Sequence, residues 1–185
     1  MTDAGSPVVV LCGPIGAGKS TASSILEQTF VVSSRSFVDE IWLPILRSRG
    51  IPPTRHNLQQ LGIELLDRLG PTGVVDKLFE VLDSSVSYVI DDVRTPAVFD
   101  YIRSKRSRAV LVFVETSFHA RFPRLQIRDG VATEAEQRDA ELVRTETGIP
   151  ELRKRADYVV QNDGHLEQYR SALISVGQQI GLAQR

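Results

Sequence analysis

The stretch Val8 to Thr21, V-V-V-L-C-G-P-I-G-A-G-K-S-T, constrains the fold more than any other part of the chain. An apolar run of strand length leads into a glycine-rich turn and then a helix start. Gly13, Gly18, Lys19 and Ser20 stand at the spacing G-x-x-x-x-G-K-[ST]. Gly13, Gly16 and Gly18 free the backbone to take conformations that a side chain would block, so that successive N–H groups, Ala17 among them, can turn inward around a phosphate. The following helix aims its N-terminal partial positive charge at the same point. Lys19 then serves as a mobile point charge for the outer phosphates, the Ser20 hydroxyl as a magnesium ligand, and Thr21 as a further phosphate contact.

Other apolar, strand-like runs recur at Phe30 to Ser33, Val86 to Asp91, Ala109 to Glu115 and Asp157 to Gln161, with helix-period segments between them. Strands alternating with helices imply crossover units, hence an α/β fold with a five-stranded parallel sheet covered by helices on both faces. Ligands of such sheets bind beyond the carboxyl ends of the strands, where the glycine loop falls. A length of 185 residues and a hydrophobic fraction of 42% fit one domain with a sizeable core. The net charge of −1 gives no reason to expect nucleic acid or an anionic membrane as partner. Cys12 is the single cysteine, and M-T-D-A-G-S-P is not a secretory signal, so the expected setting is the reducing cytoplasm. No segment approaches the length of a membrane span. His56, His119 and His165 share no metal-ligand spacing with one another or with Cys12.

Between the second and third strands the sequence spends far more helix than one crossover requires, an insert over about 35–85. Val38, Ile41, Trp42, Ile45 and Leu46 form one apolar face, with Pro44 expected to kink or shorten the helix. Leu58, Leu61, Leu65 and Leu69 form another that ends at Gly70-Pro71. The polar residues of the insert, including Arg47, Arg49, Arg55, His56, Asn57, Gln59 and Gln60, form a hydrogen-bonding set suited to an anionic acceptor.

The third strand ends in V-I-D-D-V-R, an apolar run finishing in an acid at the carboxyl edge. Asp91 or Asp92 is thereby a candidate for holding magnesium, with Asp91 preferred, and Arg94 is placed to bind a phosphate. Beyond the fourth strand, Arg121, Arg124, Arg128, Arg138 and Arg144 crowd a segment read as a lid over about 121–147. Guanidinium groups there suit the charge of a migrating phosphoryl group, and a closing lid excludes water. The last strand gives way to Q-N-D-G at Gln161 to Gly164, and the final helix carries Leu166, Tyr169, Leu173, Val176 and Ile180 on one face.

These pieces together resemble the nucleoside monophosphate kinase-like P-loop kinases. R-L-Q-I-R-D-G at Arg124 to Gly130 and R-A-D-Y-V-V-Q-N-D-G at Arg155 to Gly164 are similar to the lid and adenine-side loop of the dephospho-CoA kinase-like and adenylate kinase-like group. T-R-H-N-L-Q-Q-L-G-I-E-L at Thr54 to Leu65 and V-I-D-D-V-R-T-P at Val89 to Pro96 resemble the acceptor helix and third-strand motif of phage-type deoxynucleoside monophosphate kinases. The resemblance implies ATP and magnesium as co-substrates, Arg128 as a lid arginine, and Asn162 with Gly164 beside the adenine. It also implies that Ser36 to Asp39 faces the acceptor. The dephospho-CoA kinase pattern has an aspartate-rich turn directly after the second strand, whereas this chain offers Arg35 first and Asp39 later.

Chemistry separates the two acceptors. A sugar hydroxyl loses a proton as it attacks and benefits from a carboxylate base, while a monophosphate attacks through an oxygen that is already anionic and needs positioning. An insert rich in Arg and Gln favours the monophosphate. The expected activity is transfer of the γ-phosphoryl of ATP to a nucleoside or deoxynucleoside monophosphate, with dephospho-CoA as the alternative acceptor and ATP binding without turnover as a reading of another class. Lys19, Asp39, Asp91 and Arg128 are the candidate catalytic residues, and Ser20 and Asp91 the candidate magnesium ligands. Gly13, Gly16, Ala17, Gly18, Thr21, Arg124, Asn162 and Gly164 join Lys19 and Ser20 on the ATP side. Asp39, Arg55, Gln59 and Arg94 are assigned to the acceptor. A switch GTPase would carry an N-K-x-D run, and the sequence contains none.

Overall fold

Five apolar residues in a row leave β1 (Val8–Cys12) no face for water, so the strand belongs at the centre of a sheet. The computed structural model places it there. The structure describes residues 5–91, 93–130, 133–141 and 147–185, without the side chains of 128, 129, 137 and 139–141. Around β1 lie β2 (Ser33–Ser36), β3 (Tyr88–Asp91), β4 (Ala109–Glu115) and β5 (Tyr158–Gln161), in the order β2-β3-β1-β4-β5, with every pairing parallel. The register sets Val10 beside Ile90 and Leu111, and Ser36 beside Asp91.

Alternation along the strands divides the core in two. Val8, Val10, Cys12, Tyr88, Ile90, Leu111 and Phe113 pack with the insert helices on one face. Val9, Leu11, Val89, Val112, Val114 and Val160 face α1 (Lys19–Thr29) and the last helix on the other. The helices are numbered in chain order. After a π-helical turn at Val38–Trp42 come α2 (Leu43–Ser48), α3 (Arg55–Phe79) and α4 (Pro96–Lys105). They are followed by α5 (Phe118–Asp129), α6 (Glu134–Glu141), α7 (Ile149–Arg155) and α8 (Leu166–Ile180).

The insert is segmented where its sequence breaks helix. Pro44 sits in the first turn of α2, where a missing N–H costs nothing, and the preceding turn is π-helical. Helix α3 begins at a Thr54 cap whose hydroxyl accepts from Asn57 N, and it continues to Phe79 across a break at Gly70, where φ is 67° and ψ 174°. The expected helix end at Gly70-Pro71 is thus a kink.

The second strand lies further along than the expected Phe30 to Ser33. Phe30 is buried against α8, where a Cβ on Gly177 would overlap its ring, and it forms only an isolated antiparallel bridge with Gln184. The strand itself is S-S-R-S, half-buried at the sheet edge. Among the described residues no helix is long and apolar enough to cross a membrane.

Candidate active site

The loop between β1 and α1 takes the backbone shape that its glycines allow. Gly13, Gly16 and Gly18 have φ of 151°, 78° and 99°, all in the region that side chains disfavour. Each is also hemmed in. A Cβ on Gly13 would overlap the Val114 carbonyl, one on Gly18 would overlap the Asn162 amide, and one on Gly16 would lie 3.0 Å from Leu125 Cγ.

Four side chains from distant parts of the chain hold the outside of this loop by its carbonyls. Arg121 Nη1 donates to Ile15 O at 2.9 Å, and its Nε donates to Thr116 O at 3.1 Å. Thr116 Oγ1 and Asn162 Nδ2 both donate to Ala17 O, at 3.0 and 2.7 Å. Tyr169 donates its hydroxyl to Gly18 O at 3.0 Å. Burial pushes the Tyr169 phenol well above its ordinary pKa, and the negative charge of Asp91 adds to the shift, so the hydroxyl keeps its proton and remains a donor.

Arg121, read from sequence among the lid arginines, is therefore buried and braces the loop. Arg124 donates to the Asn162 carbonyl at 3.0 Å. The loop that carries Asn162 and Gly164 is fastened again where Asp163 accepts from Ser117 N at 2.8 Å. Hydrogen bonding by the Ser117 side chain first, and by this N–H second, holds the Asp163 carboxyl below the usual aspartate range. Thr116 and Tyr169 were not singled out as site residues by sequence. Their one sequence signal is a hydroxyl at the end of an apolar strand or on an otherwise apolar helix face.

Lys19 is 9% exposed and donates to Gly13 O at 2.9 Å and Pro14 O at 3.3 Å. Ser20 and Thr21, in the first turn of α1, are exposed. Asp91 ends β3, the strand paired with β1, and one of its carboxylate oxygens is shut off from solvent. A hydroxyl at the start of α1 and a carboxylate at the end of β3 are the hard oxygen donors that magnesium takes, with a nucleotide's phosphates completing the set. Among the described residues no group of three or more His, Cys, Asp or Glu is disposed to hold a metal by itself. The donor set thus fits a metal that arrives with phosphate. Asp92 lies outside the described residues.

On the acceptor side, Asp39 is exposed in the π-helical turn beyond β2 and accepts from Ser36 Oγ at 2.7 Å, the serine registered beside Asp91. Arg55 and Gln59 stand one turn apart at the start of α3, both half-buried. Arg49 is engaged elsewhere, in a two-bond pair with Glu64 at 2.8 Å for each bond. Arg94 follows β3, and its carbonyl packs so closely on Gly148 that a Cβ there would overlap it. In the segment read as a lid, α6 folds back so that the Arg138 guanidinium lies 4.5 Å from the centre of the Phe118 ring. The Arg128 side chain and Arg144 lie outside the described residues.

No family model matches the chain. Among curated proteins it is similar to a UPF0200 protein of Aeropyrum pernix, 27% identical over 164 residues that make up 86% of each chain. A UPF0200 protein of Hyperthermus butylicus is 28% identical over 179 residues, covering 92% of this chain and 93% of the relative. Solved structures share the fold at low identity. Shikimate kinase from Acinetobacter baumannii, 19% identical, aligns with a TM-score of 0.59 over 95% of this chain and 93% of its own. The APS kinase CysC of Mycobacterium tuberculosis, 12% identical, gives 0.57 over 94% and 98%. Dephospho-CoA kinase from Campylobacter jejuni, 15% identical, gives 0.50 over 95% and 97%. What the chain shares with these three kinases is the fold, a parallel sheet with helices on both faces.

Proposed function

We propose that the chain is an ATP-dependent phosphotransferase that moves the γ-phosphoryl of ATP to a nucleoside or deoxynucleoside monophosphate. The observation that carries this reading is the glycine loop held open from outside, with Lys19 and Ser20 at its end and Asp91 on the neighbouring strand. The loop N–H groups would cradle the β-phosphate, and Lys19 would leave its carbonyl partners for the γ-phosphate oxygens. Magnesium, held by Ser20 and Asp91, would supply charge neutralisation across the phosphates. Arg128 and Arg124 would serve the donor nucleotide from the lid, with Gly164 on the adenine side. Arg55, Gln59 and Arg94 would orient the acceptor phosphate, which needs placement more than deprotonation.

A second reading, dephospho-CoA kinase, is favoured by Asp39 alone. Its exposed carboxylate stands past the strand end next to Asp91, where a base for a sugar hydroxyl would be useful.

Thermal denaturation with a non-hydrolysable ATP analogue and a panel of acceptors tests the choice, because a ligand of the folded state stabilises it by mass action. A matching monophosphate at about 100 times its Kd should raise Tm by roughly 5–10 °C. A rise with dephospho-CoA and none with any monophosphate would overturn the preferred acceptor.

A further inference from the structure

The Ala17 carbonyl receives two buried side-chain donors whose positions lie 99 and 145 residues further along the chain. Neither donor is otherwise required to satisfy that carbonyl, since one hydrogen bond would do. The second fixes a direction. A trans peptide is planar, with its C=O and N–H pointing to opposite sides, so pinning Ala17 O outward aims the N–H of Gly18 into the loop. Only glycine fits at position 18 beside this donor, because its φ of 99° is one that side chains disfavour and a Cβ there would overlap the Asn162 amide.

Asn162 is itself fixed. It is 8% exposed, its N–H donates to Glu115 O at 2.8 Å, and its carbonyl accepts from Arg124. Its side-chain amide nitrogen, the group a base would be read by, is directed at the phosphate loop.

We propose that Thr116 and Asn162 are positioning residues that lock the Ala17–Gly18 peptide and thereby present the Gly18 N–H to the donor phosphates, so that Asn162 governs phosphate affinity and not recognition of the base. This rests on the phosphate-binding reading above. It adds to that reading a route by which the loop after β5 and the Arg124 helix set the shape of the phosphate loop.

The test is calorimetric binding of ATP, inorganic tripolyphosphate and adenosine to the full chain and to Thr116→Val, Thr116→Ser and Asn162→Asp. Thr116→Val keeps the shape of the side chain and removes the donor. It should weaken ATP and tripolyphosphate about tenfold, the effect of one lost hydrogen bond at a charged ligand's cradle, while Thr116→Ser stays within about threefold of the unaltered protein. Asn162→Asp turns a donor into an acceptor facing Ala17 O and should weaken both phosphate ligands by more than Thr116→Val does. Adenosine affinity should stay within about twofold for all three variants. A variant that only loosened the fold would lower all three ligands together, and the serine variant would not rescue it. Unchanged tripolyphosphate binding in Thr116→Val and Asn162→Asp, or loss of adenosine with tripolyphosphate retained, would overturn the proposal and leave the phosphate loop assignment standing. Failure of the unaltered protein to bind either ATP or tripolyphosphate would instead remove that assignment, and the proposal with it.

Discussion

The ammonium of Lys19 donates to the carbonyl of Gly13 at 2.9 Å, folding the loop's one cation back onto the residue where the loop begins. An entering phosphate replaces a neutral carbonyl with charged oxygens, and such charge-assisted bonds are roughly twice as strong. Lys19→Met keeps the aliphatic stem and removes the charge. Turnover should fall on the order of 100- to 1,000-fold, as for loss of a transition-state charge partner, with Tm within about 4 °C of the unaltered protein. Steady-state kinetics beside a melting curve checks both. Near-normal turnover would contradict the role given to Lys19.

Gly13 has a second constraint, the Val114 carbonyl directly over the place where a Cβ would stand. The obstacle is backbone of the central sheet and cannot rotate away. Gly13→Ala should lower stability by about 2–4 kcal/mol, from a strained φ together with overpacking, measured as a shift in urea midpoint at unchanged slope. Gly50→Ala makes a useful contrast. It shares a positive φ of 67° but meets nothing within 4 Å, so only the smaller conformational cost applies.

The end of β4 supplies a pH signature. Arg153 Nε donates to Glu115 Oε1 at 2.6 Å and Gln161 donates to the other oxygen, and these bonds, the arginine's first, hold the Glu115 carboxyl below its ordinary value of 4.5. A depressed carboxylate stabilises the fold fully above the unfolded-chain value and loses that contribution as pH falls through the lower folded value. Glu115→Gln should therefore be less stable than the unaltered protein at pH 7, with the gap closing as pH falls from the ordinary value of 4.5 through the lower folded value. Urea midpoints across that range measure it. A gap independent of pH would show that the pair does not act through charge.

Asp39 separates acceptor chemistries. With a monophosphate acceptor no base is needed, and Asp39→Asn should leave kcat within about threefold. If the acceptor is a hydroxyl, removal of its base should lower kcat by roughly 100-fold or more, with a loss of the acidic limb of the pH–rate profile. A loss of the second kind would transfer the assignment to the hydroxyl acceptor.

The sheet and the glycine-rich turn after β1 were legible in the sequence because both depend on local signals. Val8 to Cys12 is apolar without interruption, and Gly13, Gly18, Lys19 and Ser20 sit at fixed spacing. β2 was misplaced by three residues because Phe30 and Val32 carry the apolar signal while S-S-R-S forms the strand, its stability coming from pairing with β3. The Gly70 kink was legible as a helix stop, since a glycine-proline pair reads the same either way. What the sequence could not reveal was the brace around the loop. Thr116, Arg121, Asn162 and Tyr169 reach the carbonyls of Ile15, Ala17 and Gly18 across about 100 residues or more. No local pattern distinguishes a threonine that ends a strand in solvent from one that holds a loop. Arg121 shows the cost most clearly, being read with the lid arginines when its guanidinium is buried beneath the loop.

The central claim is that the γ-phosphoryl of ATP passes to a bound acceptor and not to water. Phosphorus NMR of the protein with magnesium, ATP and each nucleoside or deoxynucleoside monophosphate in turn follows both fates in one tube. The account predicts that ADP and a new diphosphate resonance accumulate together with at least one monophosphate, with inorganic phosphate a minor product and Lys19→Met silent. ATP binding accompanied by no transfer to any monophosphate or to dephospho-CoA would contradict it.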